Sequence, residues 1–190
     1  MEFVQPIREI AQIEAIKKAL LDKRPYGLRD HLLFTLGINS ALRISDLLGL
    51  KIKDVVDSKG SINGYITLRE KKTGKSKAFP LNNNAVRAIK MYLQSIKPEP
   101  CEFLFRSKKG GALTRQQAWH ILNEAALMCG IVDKIGTHTL RKTFGYHAFK
   151  NGIGIECLQT ILNHSSPGTT LRYIGITQDD VDSVYMGLNL

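Results

Sequence analysis

Apolar residues recur every three to four positions through the N-terminal part of the chain. Over 8–23, REIAQIEAIKKALLDK, the stripe is Ile10, Ile13, Ile16 and Leu20 with charges between them, which predicts an amphipathic helix. Pro25 opens a second helix, its apolar face formed by Leu28, Leu32, Leu33 and Leu36. RISDLLGL, after the turn at Asn39–Ser40, predicts a third, short one. From Lys51 the period changes: GYITLREKKTGKSKAFPL, 64–81, has strand-forming residues on both sides of a Lys-Thr-Gly-Lys turn and predicts a β-hairpin. Helical spacing returns in NAVRAIKMYLQSI, begun by Asn82–Asn84 and ended by Pro98, and in TRQQAWHILNEAALMCG, capped by Thr114 and stopped by Gly130. Beyond that, THTLRKTFGYHAFKNG and IGIECLQTILN read as helices, followed by a Ser-Ser-Pro-Gly loop that leads to Tyr173. A last helix is predicted over TQDDVDSVYMGL, with Thr177 as N-cap, Asp180 three residues on, and Val181, Val184, Tyr185 and Leu188 as its stripe. No repeat, low-complexity tract or flexible linker interrupts the pattern, so it describes one mainly helical domain with a small sheet.

Length and composition agree with that. A chain of 190 residues buries one core comfortably, and 43% apolar with 23% charged residues is an ordinary globular balance. The longest apolar stretch, LLFTLGI, falls far short of the roughly 20 residues that span a bilayer, so no membrane role is expected. MEFVQPIREI has an early acid and no apolar core, so no signal peptide is expected. Cys101, Cys129 and Cys157 are odd in number and form no CxxC pair, which points away from disulfides and zinc and toward a reducing, cytoplasmic compartment. Cys157 is expected to pack into the core. A net charge of +10 changes the picture more, because a basic protein is drawn to phosphates and releases their counterions. The charge concentrates in the hairpin region, where eight Lys/Arg stand against three Asp/Glu over 51–80.

Several residues could carry chemistry. His138 and Arg141 lie i, i+3 on one predicted helix, so an imidazole and a guanidinium fork project side by side. Arg43 stands among small and apolar residues at a helix start and requires a counter-charge. Two fit: Asp46 itself, or a bound phosphate with Asp46 behind the arginine. Lys71, Lys72, Lys75 and Lys77 surround the hairpin turn, and one lysine reaching a phosphate could protonate a leaving oxygen. His164 and Tyr173 complete the set. It is rich in cations and lacks the carboxylate cluster that metal-dependent nucleases use, and the chain has no GxxxxGK[ST] for ATP. No metal or cofactor is therefore expected. Fixed cations beside a hydroxyl nucleophile suit phosphoryl transfer through a covalent phosphotyrosine.

The ordered series ALRISDLLGLKIKD, KKTGKSKAFPL, HTLR and LNHSSPGTTLRY resembles the catalytic domain of the tyrosine recombinases, the phage integrase family. The 23-residue run from Arg141 to His164 and the nine-residue step from His164 to Tyr173 both fit. The resemblance implies an α+β, mainly α fold with a small antiparallel three-stranded sheet, over residues 1–176, and a C-terminal helical tail, 177–190, packed on its own domain or on a neighbour. It implies Tyr173 as nucleophile, Arg43, Arg141 and His164 around the phosphate, His138 as proton acceptor and Lys72 as general acid, with Asp46 supporting Arg43. Three departures stand out. Asn163 replaces the family's usual glycine, and asparagine tolerates the left-handed backbone that turn needs. Asp46 is shorter than the usual glutamate. Only a few residues precede the matching region, where the family carries a core-binding domain, so the sequence is either a piece of a longer protein or a small recombinase that grips DNA with this domain alone.

The expected partners are a double-stranded DNA target and other protomers in a tetrameric synaptic complex. Hairpin lysines Lys71, Lys75 and Lys77, with Arg115, would position the backbone, while Gln116 and Gln117 would read adenine edges. Pro167 and Gly168 are expected to form a mobile connection that keeps Tyr173 withdrawn until DNA arrives. Three other readings remain at this point: a type IB topoisomerase, a DNA-binding module with a structural Tyr173, and a basic scaffold.

Overall fold

The computed structural model describes residues 4–23 and 25–188, apart from the side chains of Val181 and Val184, which lie outside the described residues. The first predicted helix is α1, Ile10–Leu21, which buries Ile13, Ile16 and Leu20 but leaves Ile10 exposed at its first turn. α2, Gly27–Ser40, follows Tyr26 as N-cap, with Pro25 in the turn ahead, and α3 is Ile44–Leu47. A one-turn helix that the periodicity does not announce, α4, Ile52–Val55, is held by the Asp54 carboxylate accepting the Lys51 N–H at 2.8 Å.

The hairpin forms as β1, Tyr65–Arg69, against β2, Ser76–Pro80, antiparallel with Leu68 opposite Lys77. The sheet has two strands among the described residues, not three. Val56 and Ile62 meet in a single bridge only, because the Asp57 carboxylate accepts the N–H groups of Lys59 and Ser61 and closes the chain into a turn between them.

Next come α5, Asn83–Gln94, capped by the Asn82 side chain, and α6, Arg115–Met128, capped by Thr114. α7 is Thr137–Lys150, α8 Ile155–Leu162, α9 Pro167–Ile174 and α10 Gln178–Gly187. α2 runs through the centre with α1, α5 and α7 packed on it. Gly37 permits the closest approach: a Cβ there would lie 2.5 Å from Leu140 Cδ1 of α7. A second small core, Ala41, Leu158, Leu162 and Ile174, sits under α7, α8 and α9. Gly145 serves that junction as Gly37 serves the first, since its Cβ would meet Ile174 Cγ2 at 2.5 Å.

Two expectations fail locally. Cys157 is exposed, because α8 turns Leu158 and Leu162 inward and the thiol falls to the side of that stripe. Pro167 and Gly168 are the first turn of α9, with Ser166 as N-cap accepting from the Thr169 N–H, so they are helix rather than a loose connection. α10 begins as expected, with Thr177 and Asp180 bonded to each other, and a Lys150–Asp180 ion pair of 2.7 Å ties it to α7. Tyr185 and Met186 on it, and Leu188 just past its end, are exposed. No helix among the described residues is long and apolar enough to cross a membrane.

Candidate active site

The site begins with a strained residue. α2 ends on Ala41 in the left-handed region, φ 52°, a conformation that costs an L-residue about 1–2 kcal/mol. That turn presents the Ala41 carbonyl to Arg141 and swings Arg43 to the N-cap of α3. Arg141, 3% exposed, donates from one guanidinium nitrogen to Ala41 O and from another to Leu162 O, so α7 locks together the ends of α2 and α8.

Arg43 does not pair with Asp46. Its guanidinium meets the Glu70 carboxylate at 2.7 Å, and Glu70 is buried. Asp46, also buried, accepts the Lys71 N–H at 2.9 Å and so pins the base of the hairpin turn instead. The signal for Glu70 was present in the strand period: in YITLRE the inward positions are Ile66, Leu68 and, two further, Glu70. Burial alone would raise the Glu70 carboxyl, but hydrogen bonds from Thr73 and Arg43 and the charges of Arg43 and Lys77 outweigh it and hold the group below its ordinary range.

α9 carries Tyr173 into this cationic corner. Its hydroxyl lies 3.3 Å from His138 Nδ1, and its ring stands edge-on to the rings of His138 and His164, with centroids 6.4 and 4.8 Å away. Far from being withdrawn, the tyrosine is docked among the candidate residues. Lys142 Nζ sits over its ring at 5.4 Å. Burial raises the phenol above its ordinary pKa, and the charges of Arg141 and Arg43 oppose that without cancelling it. Desolvation also lowers both imidazoles: for His138 it is reinforced by the charges of Arg115, Arg141, Lys142 and Lys72, for His164 by Arg141 and Arg43. Both rings are thus biased toward the neutral form that can accept a proton.

His164 follows Asn163, whose left-handed backbone, φ 48° and ψ 53°, closes α8 as the sequence led us to expect of an asparagine. Its Nδ1 is 3.2 Å from Thr170 Oγ1, which itself donates to Ser166 O at 3.2 Å. The threonine's one proton is therefore used, so Nδ1 carries the ring's hydrogen and Nε2 is left available for a ligand.

The remaining sequence candidates scatter. Lys72, Lys71 and Lys75 are exposed at the hairpin turn, although the charge of Lys72 still reaches His138. Lys77 is half-buried and donates to Ile161 O at 3.2 Å. Arg115 and Gln116 line a cleft of about 830 Å³ that opens beside Tyr173 and His138 and also includes Trp119, Lys142 and Arg172. Gln117 does not face it: its side chain accepts the Thr114 N–H at 2.9 Å in a capping box, so it is occupied at its own helix end. Trp119 and Lys142 were legible only as spacings, i+4 from Arg115 and from His138 respectively. Among the described residues no three His, Cys, Asp or Glu side chains gather into a metal-ligating group.

Known proteins resemble this chain in sequence and in fold. Residues 9–179 match the phage integrase family. The chain is 44% identical over 186 residues to the probable integrase/recombinase YoeC of Bacillus subtilis strain 168, covering 97% of both. It is 31% identical to the tyrosine recombinase XerC of Pelobacter propionicus, covering 93% of this chain and 57% of that one, so it spans little more than half of that relative. The fold superposes on the crystal structure of XerA recombinase with a TM-score of 0.77 at 22% identity, over 98% of this chain and 65% of the other. For XerH site-specific recombinase bound to palindromic difH substrate in a post-cleavage complex, the TM-score is 0.76 at 21% identity, over 97% of this chain and 53% of that chain.

Proposed function

This chain belongs to the phage integrase family and carries a tyrosine recombinase catalytic domain, and we propose that it cleaves and rejoins DNA through a 3′-phosphotyrosyl intermediate, without a metal. The observation that carries the reading is the Tyr173 hydroxyl held 3.3 Å from His138 Nδ1 in a corner walled by Arg43 and Arg141. Tyr173 Oη attacks the scissile phosphorus and its proton passes to His138. The P–O5′ bond breaks, and Lys72 protonates the departing oxygen once the hairpin turn closes over the strand. Arg43 and Arg141 neutralise the non-bridging oxygens, so the developing charge meets donors already in place, and His164 donates to one of them once its Nε2 takes up a proton beside the anionic phosphate. A 5′-hydroxyl from a second duplex then attacks the phosphotyrosine and reverses each transfer, so the link energy is conserved and no cofactor is consumed.

The basic hairpin and the cleft lined by Arg115, Gln116 and Arg172 support double-stranded DNA as the ligand. XerH, of the same fold, is bound to its substrate in its solved structure. We take residues 1–176 as the catalytic unit and 177–190 as a tail, whose exposed Tyr185 and Met186 suit packing on a neighbouring protomer in a tetrameric synapse.

A nicked suicide duplex tests the reading. The protein should form an SDS-stable DNA adduct in EDTA, mapped to Tyr173, and Tyr173→Phe should form none. An adduct that survives in Tyr173→Phe, or one that requires magnesium, refutes it. Plasmid relaxation without recombinant products would assign strand passage instead of exchange.

A further inference from the structure

The end of α8 is held in an unusual way. The last four carbonyls of a helix have no partner within it. Here Gln159 O takes the His164 N–H at 3.0 Å and Thr160 O takes the Asn163 N–H at 3.1 Å. Ile161 O and Leu162 O remain, and each is taken by a cation from elsewhere in the chain: Lys77 Nζ at 3.2 Å and the Arg141 guanidinium. His164 is the second residue after that end, so its placement depends on these ties.

Strand parity selects Lys77 for the task. In β2, Lys77 and Phe79 turn inward while Ser76, Ala78 and Pro80 face out, and Lys71, Lys72 and Lys75 are exposed at the turn. The position is electrostatically costly. Burial, then repulsion from Arg141, lowers the ammonium to about 8, with Arg43 adding to it and Glu70 and Asp46 opposing. A neutral donor would cap one carbonyl without that repulsion, so capping by itself does not account for a lysine here.

We propose that Lys77 is a positioning residue for strand cleavage, tying the hairpin to the end of α8 so that Lys72 and His164 reach the phosphate as one unit. The inference rests on the reading of Tyr173 and His164 given above. A phosphate arriving at Arg141 competes with Leu162 O for the same guanidinium, whereas the Lys77 tie is independent of it. Charge at this end also follows the helix dipole, which favours cations at a C-terminus.

The test compares Lys77→Met and Lys77→Arg in single-turnover adduct formation on the nicked duplex at saturating DNA. Lys77→Met should slow the step roughly ten- to a hundredfold, the scale of a small misplacement of reacting groups, while leaving DNA affinity and Tm near the parent values. Lys77→Arg should restore most of the rate. In ¹H–¹⁵N spectra of the free protein, the His164 ring signals should move in Lys77→Met and return in Lys77→Arg. Parental rate in Lys77→Met, or a loss that arginine does not restore, overturns the proposal; so do unmoved His164 signals. Should Lys77→Met not fold, Lys77→Leu, which also lacks a donor, gives the same readouts. Absence of any adduct in the parent protein would instead refute the Tyr173 chemistry, and the His164 spectra would still decide whether Lys77 positions that ring.

Discussion

Replacing Glu70 by glutamine isolates the counter-charge of Arg43. Glutamine keeps the volume and an acceptor for Thr73 Oγ1, which bonds the carboxylate at 2.7 Å, so the change is one of charge. At the 2.7 Å separation of the Arg43–Glu70 pair, two unit charges attract by ~6 kcal/mol at an effective dielectric of about 20. Desolvation of both groups offsets much of that in the intact pair, but removal of one partner leaves the other buried charge uncompensated. Here Arg43 would face Arg141 and Lys77 with only Asp46 nearby. Arg43 retains 17% exposure, so the loss belongs at the lower end of the range for broken buried pairs, about 3 kcal/mol. For a chain of this size that lowers Tm by roughly 6–12 °C, readable by calorimetry at pH 7. Because the Glu70 carboxyl is held below its ordinary value of 4.5, its contribution is fully present above that pH and is lost as pH falls through the lower folded value. The Glu70→Gln protein should lack that acid-side slope. Freed from its carboxylate, Arg43 should also bind DNA phosphate more tightly at low salt, with a salt dependence steeper by about one contact. A Glu70→Gln protein with parental Tm and parental salt slope would refute the reasoning, since Arg43 would then not be relying on Glu70.

Three further outcomes follow from the same geometry. His138 and His164 are both held below the ordinary 6.5, by desolvation first, so the unfolded chain binds more protons just under that value and stability falls as pH drops through it; Tm at pH 7.5 and 5.5 measures the slope, which His138→Gln with His164→Gln should flatten. Asn163→Ala should destabilise by about 1 kcal/mol in urea unfolding, because its left-handed backbone disfavours a Cβ without a helping side chain, while Asn163→Gly stays near the parent. Gly145→Ala places a methyl 2.5 Å from Ile174 Cγ2, so α9 must shift, at about 1–3 kcal/mol, and adduct formation should fall further than DNA affinity because Tyr173 precedes Ile174.

What could be read from the sequence divides along a physical line. Helices α1, α2, α5, α6 and α7 were legible because a period of 3.6 marks each, and at α5 and α6 a local cap adds to it: Asn82 and Thr114 bond N–H groups three residues away. The hairpin was legible for the same local reason, whereas the expected third strand does not form among the described residues, because one aspartate, Asp57, diverts the backbone that would have paired. In the site, cations were legible as types, and their partners were not. Arg43 offered Asp46 at helical spacing, yet that spacing holds only if the arginine belongs to the helix; as the N-cap, with extended backbone at ψ 147°, it projects away from its own first turn and across to Glu70, the residue that follows β1. Gln117 differs in the opposite sense: read as free to reach a base edge, it has its side-chain oxygen engaged by the Thr114 N–H three residues back. The two differences share a cause. A polar side chain beside a helix start has a competing local use, and whether the backbone there is helical or extended decides whether that use or a distant partner wins. At Arg43 the extended backbone releases the guanidinium to a carboxylate 27 positions along the chain, and this puts a negative charge into a pocket whose cations alone would repel one another before any phosphate arrives.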